Sequence, residues 1–240
     1  MSDQDLEKVD SGRRDFLKKS LVAGAVVWGA PAVTSLPGGR AWAQTYAQCL
    51  CNGDAYGLRV IIPLLGFDQT FGVDGSVVNT GTIALPGLGS VAATVVTGND
   101  GSSVDGACFG QASIATLNLI VGSTIAPALR VTAGVITSQA TATCPPCGTT
   151  GTSSIANASA SGTLLGGGSI DLDAIAGCNT DVLNLGIIVI NEQSCDANGN
   201  LTVNALHITV PGVVEIIAAH SVAGAGDQAG GSNCPCTACA

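Results

Sequence analysis

"NEQSCDANGNLTVNALHITVPGVVEIIAAHSVAGA", residues 191–225, decides the fold. Two β-prone runs, 201–210 and 212–222, flank Pro211-Gly212, and a third, 183–193, precedes them. "DANGN", Asp196 to Asn200, carries the Asn-Gly pair that hairpin turns favour, because both residues tolerate a positive φ. Successive strands folding back on one another are therefore expected. Pro-Gly prefers a type II turn, which suits a two-residue hairpin poorly. The second hairpin carries His207, Glu215 and His220, the acid/base or ligand candidates of the chain. A two-residue turn at Pro211-Gly212 would set His207 and His220 on one face and Glu215 on the other. A slip of one residue reverses the faces. The plain alternative is a set of hydrogen-bonded or solvent-facing histidines in a hairpin.

Working outward, the same grammar recurs. Short runs such as 57–65, 81–86, 90–97, 112–121, 129–143, 153–162 and 169–173 are separated by Gly, Asn, Asp and Pro. Several alternate apolar and small polar residues, as half-buried strands do. In "RVTAGVITSQATAT", unbroken alternation puts Val131, Ala133 and Val135 on one face and Thr132, Gly134 and Ile136 on the other. Strands at this spacing predict an all-β fold, an antiparallel sandwich or barrel-like domain rich in Val, Ala and Gly. A β-solenoid is the alternative, suggested by the rhyme between "SIATLN" (113–118) and "SIANAS" (154–159), although no fixed period accompanies it. A helix over "DVLNLGIIVI" is disfavoured by its β-branched end.

Ahead of this domain stands "GRRDFLKKS", residues 12–20. Arg13, Arg14, Phe16, Leu17 and Lys18 resemble the twin-arginine export motif, with Gly12 where Ser or Thr is usual. An apolar stretch follows, then Ala41-Trp42-Ala43, a small-x-small cleavage site placing the mature start at Gln44. The expected organisation is a signal peptide over 1–43, an exported β domain over 44–227 and a Gly/Cys-rich tail over 228–240. The resemblance implies the export translocase as a partner and a periplasmic, cell-surface or secreted location in a bacterium.

Cleavage would change the charge balance sharply. Six of eight basic residues lie before Gln44, which leaves Arg59 and Arg130 against twelve acids and no Lys. Nucleic acid is excluded as an expected partner, since phosphate binding needs Lys and Arg in number. No apolar run of spanning length follows residue 43, so no membrane span is expected in the mature chain. Tyr46, Tyr56, Phe67, Phe71 and Phe109 are the only aromatics there, so Val, Ile, Leu and Ala must build the core. Small uncharged faces would suit packing against copies of the same chain or cell-envelope components.

The opening stretch, with "TVNALH" and its Ala-Gly ending, resembles the closing hairpin of the choice-of-anchor P family of bacterial exported surface proteins. "AYGLRV" (55–60) and "SSIANASA" (153–160) fit it less specifically. The resemblance implies an exported, surface-associated β domain. It carries over no functional residues and no enzyme activity. An anchor is not apparent in this chain, and the Cys-rich tail departs from the family pattern.

Ten cysteines follow the cleavage site: Cys49, Cys51, Cys108, Cys144, Cys147, Cys178, Cys195, Cys234, Cys236 and Cys239. An even number in an exported chain reads as disulfides. Close-spaced members are expected to bond outward, the N-terminal pair and the C-terminal trio to one another or to Cys144 and Cys147. The rival reading is a zinc or iron–sulfur site on Cys144, Cys147, Cys234, Cys236 and Cys239, a cofactor that a folded-protein export route would suit. A redox role for Cys144-Pro-Pro-Cys147 is the third, set against the loop that "GTTG" predicts after it. "DANGN" faintly echoes a calcium loop, but Leu201 and His207 stand where Gly and a bidentate Glu are required. No Gly-x-Ser-x-Gly or other catalytic constellation appears. The expected function is a non-enzymatic, disulfide-stabilised exported domain with a structural or adhesive role and no cofactor.

Overall fold

The computed structural model describes residues 49–102, 107–123, 125–143, 148–175, 177–227 and 236–239. Every described strand belongs to one unit, Ala47–Ala240. In chain order they are β1 (Cys49–Ile62), β2 (Phe67–Val73), β3 (Gly81–Leu85), β4 (Gly89–Thr94), β5 (Thr97–Ser102), β6 (Cys108–Ile114), β7 (Thr116–Gly122) and β8 (Pro127–Ala133). They continue as β9 (Val135–Thr143), β10 (Gly148–Ala156), β11 (Ser159–Ser161), β12 (Ser169–Asp171), β13 (Thr180–Asp181), β14 (Ile188–Cys195), β15 (Leu201–Val210) and β16 (Val214–Asp227).

All pairings are antiparallel, in three open sheets: β13-β14-β15-β16-β1-β2, then β10-β9-β6-β5, then β12-β11-β8-β7-β4-β3. The architecture is an all-β sandwich, and the solenoid alternative is not what forms. The second and third sheets are two wings of one layer. β4 runs into β5, β6 into β7, β8 into β9 and β10 into β11 with at most two residues between. At each junction the layer turns a corner, and the inward-facing residues change parity. Ala112 and Ile114 are buried, then Leu117 and Leu119; Val131 and Ala133 are buried, then Ile136 and Ser138.

This corrects the face assignment from unbroken alternation. Ile136 is core and Val135 is exposed, because a bulge at Gly134 inserts one extra step: its N–H donates to both Ala156 and Asn157 carbonyls, at 3.0 and 3.2 Å. The Ser-Ile-Ala rhyme has the same origin. Ile114 and Ile155 both pair with Ile136, so the two copies flank β9 at one corner and are not repeats of a solenoid. The outer strands of the corner use left-handed backbone at Val95 (φ 48°) and Asn157 (φ 53°). Side chains cap both: Asn79 Oδ1 accepts from Val95 N at 2.7 Å, and the Asp173 carboxylate accepts from Asn157 and Ala158 N at 2.7 Å each.

The first sheet changes facing at the matching level with its register unbroken. Its ladders skip Gly57, Asn191, Ala205 and Ala219, and φ is 50° at Asn191 and 53° at Ala219. Leu201 and Val203 point inward before the change, Leu206 and Ile208 after it. Two cores result. The aliphatic one lies between the first and third sheets around Leu58, Val60, Leu119, Val131, Leu206 and Ile216. The smaller one holds Cys108, Ala140, Ala142, Leu201, Val203 and Ala223 between the first and second sheets.

Here the layers meet nearly backbone to backbone. A Cβ on Gly110 would sit 2.5 Å from the Val222 carbonyl oxygen and 2.8 Å from that of Asp54, and one on Gly98 would strike the Ala55 and Gly72 carbonyls. The chain thus uses these small residues inside, between its own sheets, rather than on an outer face. One run read as a loop is strand: "GTTG" opens β10. The 183–193 run begins as a 3-10 turn, Val182–Asn184, and becomes strand only at Ile188.

Candidate functional site

The change of facing in the first sheet builds a polar strip. On its outer face, residues three apart now share a side: Tyr56 with Arg59, Asn204 with His207, Ile217 with His220. Turn chemistry sets the rest. Val213 N donates to Val210 O at 2.9 Å, with Pro211 and Gly212 (φ 71°) in the centre, and Val210 pairs with Val214. The loop is therefore three residues long, not two. His207, Glu215 and His220 all face outward together, and the separation of Glu215 from the two histidines that a two-residue turn would give does not occur.

His207 sits between two carboxylates. Its Nδ1 lies 2.8 Å from Glu192 Oε2 and its Nε2 3.0 Å from Glu215 Oε1. Hydrogen bonding to Glu192, reinforced by both charges, raises its pKa, and the same bond lowers that of Glu192. Asn204 Nδ2 donates to Glu192 Oε2 at 2.7 Å, which fixes the amide so that Oδ1 faces His220 Nδ1 at 2.6 Å. The proton of His220 is thereby assigned to Nδ1. Burial pushes the His220 pKa down to about 4, so the ring is neutral at pH 7. It stacks on Tyr56, centroids 4.2 Å apart and planes 13° apart. Burial also pushes the Tyr56 hydroxyl up to about 12. Arg59 closes the strip by a two-point pair with Asp68 at 2.9 and 2.6 Å.

The strip thus crosses β14, β15, β16, β1 and β2. Its groups are spent on each other. Glu192 and Glu215 approach opposite sides of one imidazole, so the three do not converge on a common point. Among the described residues no group of three or more His, Cys, Asp or Glu could hold a metal ion. The sequence singled out His207, Glu215 and His220 but not Glu192, Asn204, Tyr56, Arg59 or Asp68. The signal that could have found them is the three-residue step between outward polar positions.

The described cysteines form disulfides and the close-spaced ones bond outward, as expected, but to other partners. Cys51 bonds Cys108, Cys178 bonds Cys239 and Cys195 bonds Cys236, with Cα–Cα distances of 5.2, 5.5 and 5.9 Å. The N-terminal and C-terminal clusters are therefore not joined through Cys51, Cys236 or Cys239. Cys51–Cys108 ties the two layers through the small core. Cys236 and Cys239, two thiolates of the alternative metal site, are each bonded to a cysteine of the β domain and cannot ligate. Cys144, Cys147, Cys234 and the Cys49 side chain lie outside the described residues, as do Arg13, Arg14, Phe16, Leu17, Lys18, Ala41, Ala43 and Gln44.

The tail segment 236–239 is docked as well as bonded. Thr237 N donates to Thr149 Oγ1, and Cys239 N to Gln193 Oε1, both at 3.0 Å. It bridges the edges of β10 and β14. The calcium echo resolves as a turn: Asp196 Oδ1 accepts from Asn198 and Asn200 N at 2.8 Å, and Oδ2 from Asn200 Nδ2 at 2.7 Å. Among the described residues no helix is long and apolar enough to cross a membrane. No protein-family model, curated protein or solved structure matches this chain.

Proposed function

We propose that this disulfide-stabilised β domain is exported through the twin-arginine route and serves a non-enzymatic structural or adhesive role at or beyond the cell surface. The observation that carries the reading is the Cys51–Cys108 bridge. Cys108 is fully buried between two sheets, and the bond closes a separation of 57 residues. Bonds of this kind persist in oxidising compartments. The Arg13-Arg14 layout and the likeness of the closing hairpin to choice-of-anchor P proteins support the same reading. So does the outer strip, in which both nitrogens of His207 are engaged by carboxylates.

The test is the intact mass of protein recovered outside the cytoplasm, unreduced. The expected product starts at Gln44 and lacks two hydrogens per bond. Product that stays inside with titratable thiols would sink the proposal. So would undiminished export of the Arg13→Lys, Arg14→Lys double variant.

A further inference from the structure

The outer face of the second sheet is chemically unlike the strip just described. In register across β5, β6, β9 and β10 stand Asn99, Gln111, Gln139 and Thr152. A cavity of about 340 Å³ opens over this row. The flanking rows are tied off: Thr97 bonds Ser113 at 2.8 Å, Thr137 bonds Ser154 at 3.2 Å and Thr141 bonds Thr150 at 2.7 Å. The three carboxamides of the central row are not. They are exposed, they line the cavity, and they make no hydrogen bond with any described residue. Phe109, lying beside Gly101, flanks them and borders a second hollow over the same row.

We infer that this face binds a neutral saccharide. Each carboxamide offers two donors and an acceptor with two lone pairs. Neighbouring strands space them at about 4.8 Å, so they form a short line of mixed donors and acceptors. A sugar's hydroxyls have the same mixed character. Phe109 supplies the apolar surface on which the C–H face of a pyranose can rest, in keeping with sites that combine aromatic walls and a few placed polar groups. No charged side chain lies among the residues lining the cavity, so an anionic or cationic ligand would go uncompensated. Nucleic acid needs cations that the face lacks. A protein partner would be expected to find Trp, Tyr or Arg anchors, which it also lacks. The hydroxyl pairs of the flanking rows hold its strands in register.

A saccharide ligand gives a chemical class to the adhesive part of the proposed function and rests on that reading for the setting alone. The experiment is a binding screen of the purified, fully oxidised chain against neutral oligosaccharides (gluco, manno, galacto and N-acetylglucosamine series) beside uronic-acid oligosaccharides. Titration calorimetry of the best binder follows at low and high salt. The expected result is binding of a neutral series, unchanged by salt and weakened about tenfold by Gln111→Ala and by Gln139→Ala. Circular dichroism and intact mass establish that both variants are folded and oxidised. Binding to acidic series alone, affinity equal to the parent's in both variants, or no neutral binder overturns the inference. An exported, oxidised chain that binds no neutral saccharide leaves the localisation reading intact. A saccharide-binding chain retained with free thiols does the reverse.

Discussion

His220 and His207 stand on one strip yet respond to acid in opposite ways. The unfolded chain protonates His220 below about 6.5, while the fold, burying the ring, holds its pKa to about 4. Between those values the unfolded state binds the extra proton, so stability falls as pH falls through this window. The loss amounts to roughly 3 kcal/mol by pH 4. His207 has the reverse sign: its raised pKa contributes stability present below about 6.5 and lost as pH rises through the folded value. Glu192, lowered by the same contact, contributes above its ordinary range and loses that contribution on acidification. Replacing His220 by Gln should therefore flatten the decline between pH 6.5 and 4, measured as urea midpoints across that range. An unchanged slope would mean that another group titrates there. The sequence showed these histidines and Glu215. It could not show that Asn204 relays between Glu192 and His220, because that depends on the strands changing facing together at Ala205 and Ala219.

At the scale of the strand, the corner is the feature that alternation alone misreads. Fold class was legible from the 191–225 run, since β-prone runs of strand length meet there at turn residues. The corner was legible only in retrospect, as a three-residue step between buried positions, Ala93 to Val96, Ile114 to Leu117 and Ala133 to Ile136; in the first sheet it shows as unbroken burial from Val203 to Leu206 and from Ile216 to Ala219. A single such step looks like noise in one strand; its meaning comes from strands far apart in sequence making it side by side. Val95 bears the cost, being β-branched and exposed in left-handed backbone. Val95→Asn, the residue this chain itself uses at positions 157 and 191, should stabilise by about 0.5–1 kcal/mol in chemical denaturation. No gain would place the strain elsewhere. Gly110→Ala should act oppositely, costing roughly 1–3 kcal/mol, because its methyl meets the carbonyls of Val222 and Asp54. A Gly110→Ala variant as stable as the parent would show that the two layers can separate there.

For the whole molecule, the bridges decide how the layers and tail hold together. Cysteine count and compartment pointed to disulfides, but spacing does not determine connectivity, since partners are set by which strand ends meet in space. Cys178 and Cys195 lie beside the β10 and β14 edges that the tail crosses, and nothing local in "QSCDANG" foretells that. Replacing Cys51 and Cys108 together by Ala should cost about 2–5 kcal/mol and lower Tm by roughly 5–15 °C. A shift of less than about 2 °C would show that the small core holds the layers without the bond.

The scarcity of cations has one more outcome. After Ala43 only Arg59 and Arg130 offer trypsin a bond to cut. Both lie in strands with neighbours on either side, Arg59 between β2 and β16, Arg130 between β7 and β11. The folded domain should therefore resist digestion. Once unfolded without reduction it should yield pieces ending at Arg59 and Arg130 and one beginning at Val131. The first two stay linked through Cys51–Cys108, and the other two described bonds remain inside the third. A protease with two places to cut thus reads out both the folding and the cross-linking of this chain in one gel.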